Sequence, residues 1–158
     1  MMPYMLVIAA WFVILIIVLI LGYFYLRDRK KRKKKDEVNL NKIEEIRRRR
    51  KLAHTQLLSL ESKVYEKFLQ LEAVTYTDGA LKKKDKELIA VGIAVATNCE
   101  SCVEWHISEA VKSGATFRDV LEAIEVGIEF GGGKATVSAR FALEVIDNIS
   151  KNTKVKDI

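Results

Sequence analysis

The chain is short of the residues that punctuate and crosslink folds: one proline, at position 3, and only two cysteines and two histidines in 158 residues. A single proline at position 3 leaves the rest of the chain without a proline to break a helix. Two cysteines three positions apart exclude the multi-bridge framework of small secreted domains. Period-two alternation is also missing over any useful length, so strands have no support and an all-α fold follows. The length suits one domain with a real core, not two.

A large excess of charge of one sign is missing from most of the chain. The net charge is +6, yet residues 27–51 hold 14 Lys/Arg against 5 Asp/Glu, while residues 52–158 hold 13 against 16. The basicity is confined to one short region, which makes a high isoelectric point poor support for nucleic-acid binding. No nucleic acid is expected as a partner.

One long hydrophobic run is present. Pro3 to Leu26 carries no charge, enough for a helix to cross a hydrocarbon core of about 30 Å. A cleaved signal peptide would show a basic start, a shorter apolar stretch and a small-residue cleavage site, none of which is found. The expectation is a retained transmembrane helix over 3–26 that contacts membrane lipid. Eight basic residues in the nine from Arg27 to Lys35 would hold the remainder in the cytoplasm, with the N-terminus outside. Tyr23, Phe24 and Tyr25 fit an interfacial belt. The expected organisation is a transmembrane helix (3–26), a basic juxtamembrane linker (27–51), a helical domain (52–150) and a polar tail (151–158).

Helical periodicity follows the basic run. Leu40, Ile43 and Ile46, then Leu57, Leu60, Val64, Phe68 and Leu71, recur at three and four. A juxtamembrane helix from about residue 40 to the mid-70s is predicted, with Arg47 to Lys51 solvated and His54 a solvated residue beside them. T-Y-T-D-G-A, residues 75–80, breaks it, because Asp-Gly is a turn signal. Four helices are expected beyond: Leu81–Thr97; one from near Asn98 or Cys99 to Gly114; Phe117–Phe130, capped by Thr116 and Asp119; and Lys134–Asn148. Gly131 to Gly133 lacks a preceding strand and a Lys-Ser/Thr signature. It reads as a tight helix junction, not a phosphate loop.

Both cysteines and one histidine gather in T-N-C-E-S-C-V-E-W-H, residues 97–106. Cys99 and Cys102 at a helix N-terminus can close a disulfide, and backbone N–H groups with the helix dipole stabilise a thiolate there. His106 follows Cys102 by four and shares its face, where a neutral imidazole can take the thiol proton. Glu87, twelve residues before Cys99, can reach that imidazole if the preceding helix returns antiparallel. Base coupling favours Cys102 as the attacking thiol and the dipole favours Cys99; Cys102 is preferred here, with Cys99 as its partner. Against redox chemistry stand a structural crosslink, disfavoured in a reducing compartment, inert buried thiols, and zinc held by Cys99, Cys102, His106 and Glu87. Structural zinc sites draw on two separated pairs, and one pair is present. Trp105 could wall the site from water or simply pack.

From L-K-K-K-D-K-E-L-I-A-V-G-I-A-V-A-T-N-C-E-S-C-V-E-W-H through D-V-L-E-A-I-E-V-G to G-G-G-K-A, the chain resembles the carboxymuconolactone decarboxylase family. Within it, the alkylhydroperoxidase D (AhpD)-like branch carries E-x(11)-C-x-x-C-x(3)-H. The resemblance covers roughly residues 60–148. It implies an all-helical homotrimer or hexamer and an oxidoreductase without a cofactor or metal. A thiol or dithiol would be its electron donor, and a hydroperoxide or protein disulfide its substrate. Glu87 and His106 become the proton relay, and Cys99 with Cys102 the redox pair. Peroxidase-type members place a second histidine between the cysteines, where this chain has Ser101. Serine lacks an imidazole's proton affinity, which favours disulfide exchange over full hydroperoxidase activity.

Overall fold

The computed structural model describes residues 2–152, with side chains described at Trp11 and from Ile14 onward. Among the described residues there are five helices and no strand: α1 (Met2–Ser59), α2 (Lys63–Thr75), α3 (Lys83–Ala96), α4 (Glu100–Lys112) and α5 (Phe117–Asn152). The chain divides into two compact units, Met1–Asn41 and Lys42–Ile158.

The first unit holds only the N-terminal part of helix α1, with a local Arg32–Asp28 ion pair at 2.9 Å and Arg27 over the Phe24 ring. Among the described residues no helix is long and apolar enough to cross a membrane. That finding corrects the expected single-pass topology, with its outward N-terminus and cytoplasmic domain. The apolar run does not form an element of its own. It opens a 58-residue helix that continues without a break through the charged residues 27–51. Part of the run, residues 3–10, 12 and 13, lies outside the described side chains, and residues 153–158 of the expected tail lie outside the described residues.

The second unit is built on α3, α4 and α5, whose buried faces supply Val91 and Val95, Val103 and Ile107, and Val120, Ile124, Phe141 and Val145. Ile43 of α1 is fully buried in the same core. Helices α3 and α5 approach at Gly127, where a Cβ would stand 2.6 Å from the Gly92 carbonyl oxygen and 2.9 Å from Val95 Cβ. Only hydrogen fits there. The expected junction at 131–133 is a kink inside α5, made by Gly132 at φ 64° and ψ −157°, a conformation that L side chains avoid.

The helix ends follow local chemistry. Thr116 N–H donates to Asp119 Oδ2 at 2.9 Å and Asp119 N–H donates to Thr116 Oγ1 at 3.1 Å, the reciprocal cap expected for α5. Asp78 accepts from Lys83 N–H at 2.8 Å, and Lys86 Nζ donates to the carbonyls of Thr75 and Thr77, fixing the 75–80 turn. Two expectations need correction. The helix predicted to reach the mid-70s is interrupted at Leu60–Ser62, because Glu61 takes φ 51° and Ser62 caps α2 by accepting Tyr65 N–H at 3.3 Å. The apolar stripe through Leu60, Val64, Phe68 and Leu71 is exposed. Of that stripe Phe68 also borders a cavity, toward which Tyr65, Leu69 and Glu72, one residue out of register, turn.

Candidate functional site

The site begins where α3 ends. Asn98 adopts φ 57°, its N–H donates to Val95 O at 3.3 Å, and Cys99 N–H donates to Ala94 O at 3.0 Å. This is a Schellman stop with asparagine in the left-handed position. Ser138 Oγ of α5 donates to Asn98 Oδ1 at 2.9 Å, so the left-handed residue is held by its side chain as well. The stop delivers Cys99 directly to the N-cap of α4, where its Sγ accepts Cys102 N–H at 3.3 Å. Cys99 and Cys102 form a disulfide, and both are half-buried.

Helix α4 carries His106 one turn after Cys102, and α3 returns antiparallel with Glu87 at its start. His106 Nδ1 lies 2.8 Å from Glu87 Oε2, and Glu87 is 2% exposed. A carboxylate only accepts, so Nδ1–H donates and Nε2 is left with a lone pair for a proton. All four residues singled out from sequence are thus brought to one place. Among the described residues no group of three or more His, Cys, Asp and Glu side chains could hold a metal ion.

A cavity of about 850 Å³ opens on this wall, lined by Cys102, His106 and Glu87 but not by Cys99. Tyr76, from the turn before α3, lies with its ring 5.5 Å from the His106 ring. Burial first, then the charges of Glu87 and Glu72, push its hydroxyl above the ordinary tyrosine value. The neutral phenol persists across the neutral range. Tyr65 and Phe68 of α2 also line the cavity.

Helix α1 closes the rim in a way the sequence did not announce. Glu104 is 1% exposed on the core face of α4. Arg47 and Arg50 each donate to it at 2.5 Å, to Oε1 and Oε2 respectively, and Ser108 Oγ adds a third bond at 3.2 Å. A buried carboxylate left without such partners would cost several kcal/mol, about 3 or more, so these arginines are fixed to α4. Arg50 also lies over the Trp105 ring at 4.8 Å, which makes Trp105 part of the rim. The expected solvated stretch from Arg47 to Lys51 is therefore corrected: two of its arginines are structural partners of a buried acid. His54 is corrected too, being half-buried on the cavity wall with Nδ1 2.9 Å from Tyr65 Oη. The signal for Glu104 was its place among Val103, Ile107 and Ala110, where an acid demands a cation from elsewhere. Nothing local marked Tyr76.

Comparisons with known proteins bear on the family and the fold. Uncharacterised protein 4 of the cox locus of Paracoccus denitrificans is 45% identical over 82 residues, covering 52% of this chain and 74% of that protein. A carboxymuconolactone decarboxylase family protein from Legionella pneumophila, solved in its apo form, matches at TM-score 0.66 and 32% identity, over 69% of this chain and 97% of its own. A Thermotoga maritima member whose description suggests involvement in antioxidative response matches at TM-score 0.55 and 24% identity, over 57% of this chain and 93% of its own. That last match is a likeness of fold alone. The family model for carboxymuconolactone decarboxylases aligns with residues 62–145, more than half of the sequence and the whole of the Glu87, Cys99, Cys102 and His106 constellation, so this chain belongs to the carboxymuconolactone decarboxylase family.

Proposed function

We propose that the chain is a dithiol–disulfide oxidoreductase cycling between the Cys99/Cys102 dithiol and disulfide, with His106 and Glu87 as the proton relay. The observation that carries the reading is the 2.8 Å pairing of His106 with buried Glu87 on the cavity wall shared with Cys102. A structural crosslink has no need of an oriented imidazole. In the oxidative half, Cys102 loses its proton to His106 Nε2 and its sulfur attacks the substrate. With a disulfide substrate, one substrate thiolate leaves, and Cys99 then attacks Cys102 Sγ to release the second. With a hydroperoxide, the O–O bond breaks, the alcohol leaves, and Cys99 closes the disulfide as the sulfenic oxygen departs as water. Either way two electrons pass from the cysteines to the substrate, and a thiol or dithiol donor returns them.

Trapping tests the reading. In Cys99→Ser protein, Cys102 should retain a mixed disulfide with a model disulfide substrate, while Cys102→Ser should retain far less. Equal, slow reaction of both single-cysteine proteins would contradict it.

The homotrimer or hexamer implied by the family is kept as part of the proposal. Its support is the exposed apolar face of Ile89, Ile93, Val126 and Phe130, together with the outward stripe of α2. Light scattering on the full chain should give a multiple of 18.0 kDa, lowered by Phe130→Glu. A monomer across micromolar concentrations would overturn it.

A further inference from the structure

The two sulfurs of the disulfide are not equivalent. Cys102 lines the cavity and shares a helix face with His106; Cys99 lies off the cavity, at the N-cap of α4, accepting Cys102 N–H at 3.3 Å. A donor thiolate entering the cavity therefore meets Cys102 Sγ, and Cys99 becomes the leaving sulfur. How fast a disulfide opens depends on how well the leaving thiolate is stabilised.

The peptide plane between Ser101 and Cys102 connects that leaving group to α1. Its N–H end donates to Cys99 Sγ, and its carbonyl end accepts from Arg50 Nη1 at 3.1 Å. Arg50 is held from three sides. Nη2 donates to Glu104 Oε2, Nη1 also stands 3.5 Å from Ser101 Oγ, and the guanidinium covers the Trp105 ring. A cation bonded to a peptide oxygen polarises the plane and makes its N–H a stronger donor.

We infer that Arg50 is a positioning residue for redox turnover, acting through the Ser101–Cys102 peptide to stabilise Cys99 as the thiolate that leaves when a donor thiol opens the disulfide. The inference rests on the dithiol–disulfide reading and deepens it. The donor thiolate bonds to Cys102 Sγ, the Cys99–Cys102 bond breaks, and Cys99 takes the electron pair. A second donor thiol then displaces Cys102 and carries away the oxidised donor. The other charged or titratable groups around the turn are Lys42 and Arg47 of α1, Glu100, Glu104 and His106 of α4, and Glu87 of α3. Lys42 is engaged with Glu100 at 2.6 Å, and α5 meets the turn through neutral Ser138 on Asn98. Of these, Arg50 is the one bonded to the peptide that touches Cys99.

The test uses the full chain and dithiothreitol as donor. Arg50→Met should slow opening of the Cys99–Cys102 disulfide several-fold. In a Cys102→Ser background it should shift Cys99 alkylation by iodoacetamide to higher pH. Reaction of Cys102 with oxidant should be little changed. Arg50→Lys, which keeps a cation but not the fork onto both Ser101 and Glu104, should fall between. Arg47→Met removes the other arginine from Glu104 without touching Ser101, and should lower the melting temperature while moving Cys99 less. If Arg50→Met unfolds the chain, Arg50→Lys against Arg47→Met decides. The inference is overturned if the Arg50 and Arg47 variants shift Cys99 and the opening rate equally, or if neither shifts them. Failure of the underlying reading would look different: both thiols of the unsubstituted chain would be inert to oxidant.

Discussion

His106 Nδ1 meets Glu87 Oε2 at 2.8 Å, joining the helix that carries both cysteines to the helix before it. Glu87 fixes the imidazole's orientation and leaves Nε2 to receive a proton. His106→Ala should slow the reaction of Cys102 with oxidant on the order of a hundredfold, the lower end of general-base effects. Glu87→Gln keeps the volume but replaces the carboxylate, and should slow it less. Stopped-flow tryptophan fluorescence, with Trp105 on the rim, follows the reaction. Unchanged rates in both variants would remove the relay.

The contact between α3 and α5 at Gly127 is set by the absence of a side chain. Gly127→Ala places a methyl 2.6 Å from the Gly92 carbonyl oxygen and should cost about 1–3 kcal/mol through forced separation of the helices. Gly133→Ala, with nothing within 4 Å of the new Cβ, should be neutral or stabilising by up to about 1 kcal/mol. Urea unfolding of the two variants separates packing from propensity; equal behaviour would refute the close approach.

Much of this was legible in the sequence because it is local. The Asp78-Gly79 turn, the Thr116/Asp119 cap, Gly114 after α4 and the break at Gly131–Gly133 are each encoded within a few residues. The Cys102–His106 spacing is local too, since i to i+4 on a helix fixes a shared face, whereas Glu87 meets His106 from the preceding helix, 19 residues away. What stayed hidden is nonlocal. Arg47 and Arg50 read as solvent-facing charge until the buried Glu104, 57 and 54 residues away, supplies a reason for them to be fixed. Glu61 breaks a helix without glycine or proline, and Tyr76 reads as a turn residue until its ring is placed on His106. The uncharged N-terminal run reads as a span, yet among the described residues no helix is long and apolar enough to be one.

Acid should loosen the helix starts first. Asp78 is held below the usual 3.8 chiefly by Lys83 N–H, and Asp119 below its ordinary value chiefly by Thr116 N–H. Depressed carboxyl values mean that the stabilisation is complete above the unfolded value and lost as pH falls through the folded ones. The melting temperature should therefore drop as pH falls below the ordinary aspartate value of 3.8, and Asp119→Asn should flatten part of that slope while lowering the plateau. A slope identical in the variant would show that the cap does not contribute.

The most direct measurement is a count of reactive thiols on the reduced full chain before and after one equivalent of oxidant, a small disulfide in one experiment and a hydroperoxide in the other. The two cysteines of the sequence should give two thiols per chain. Oxidant should take the count to zero with an intramolecular Cys99–Cys102 bond, dithiothreitol should restore it, and the small disulfide should act faster than the hydroperoxide, given Ser101 between the cysteines. Two thiols that persist through both oxidants, alkylating at the rate of free cysteine, would contradict the redox cycle at its root.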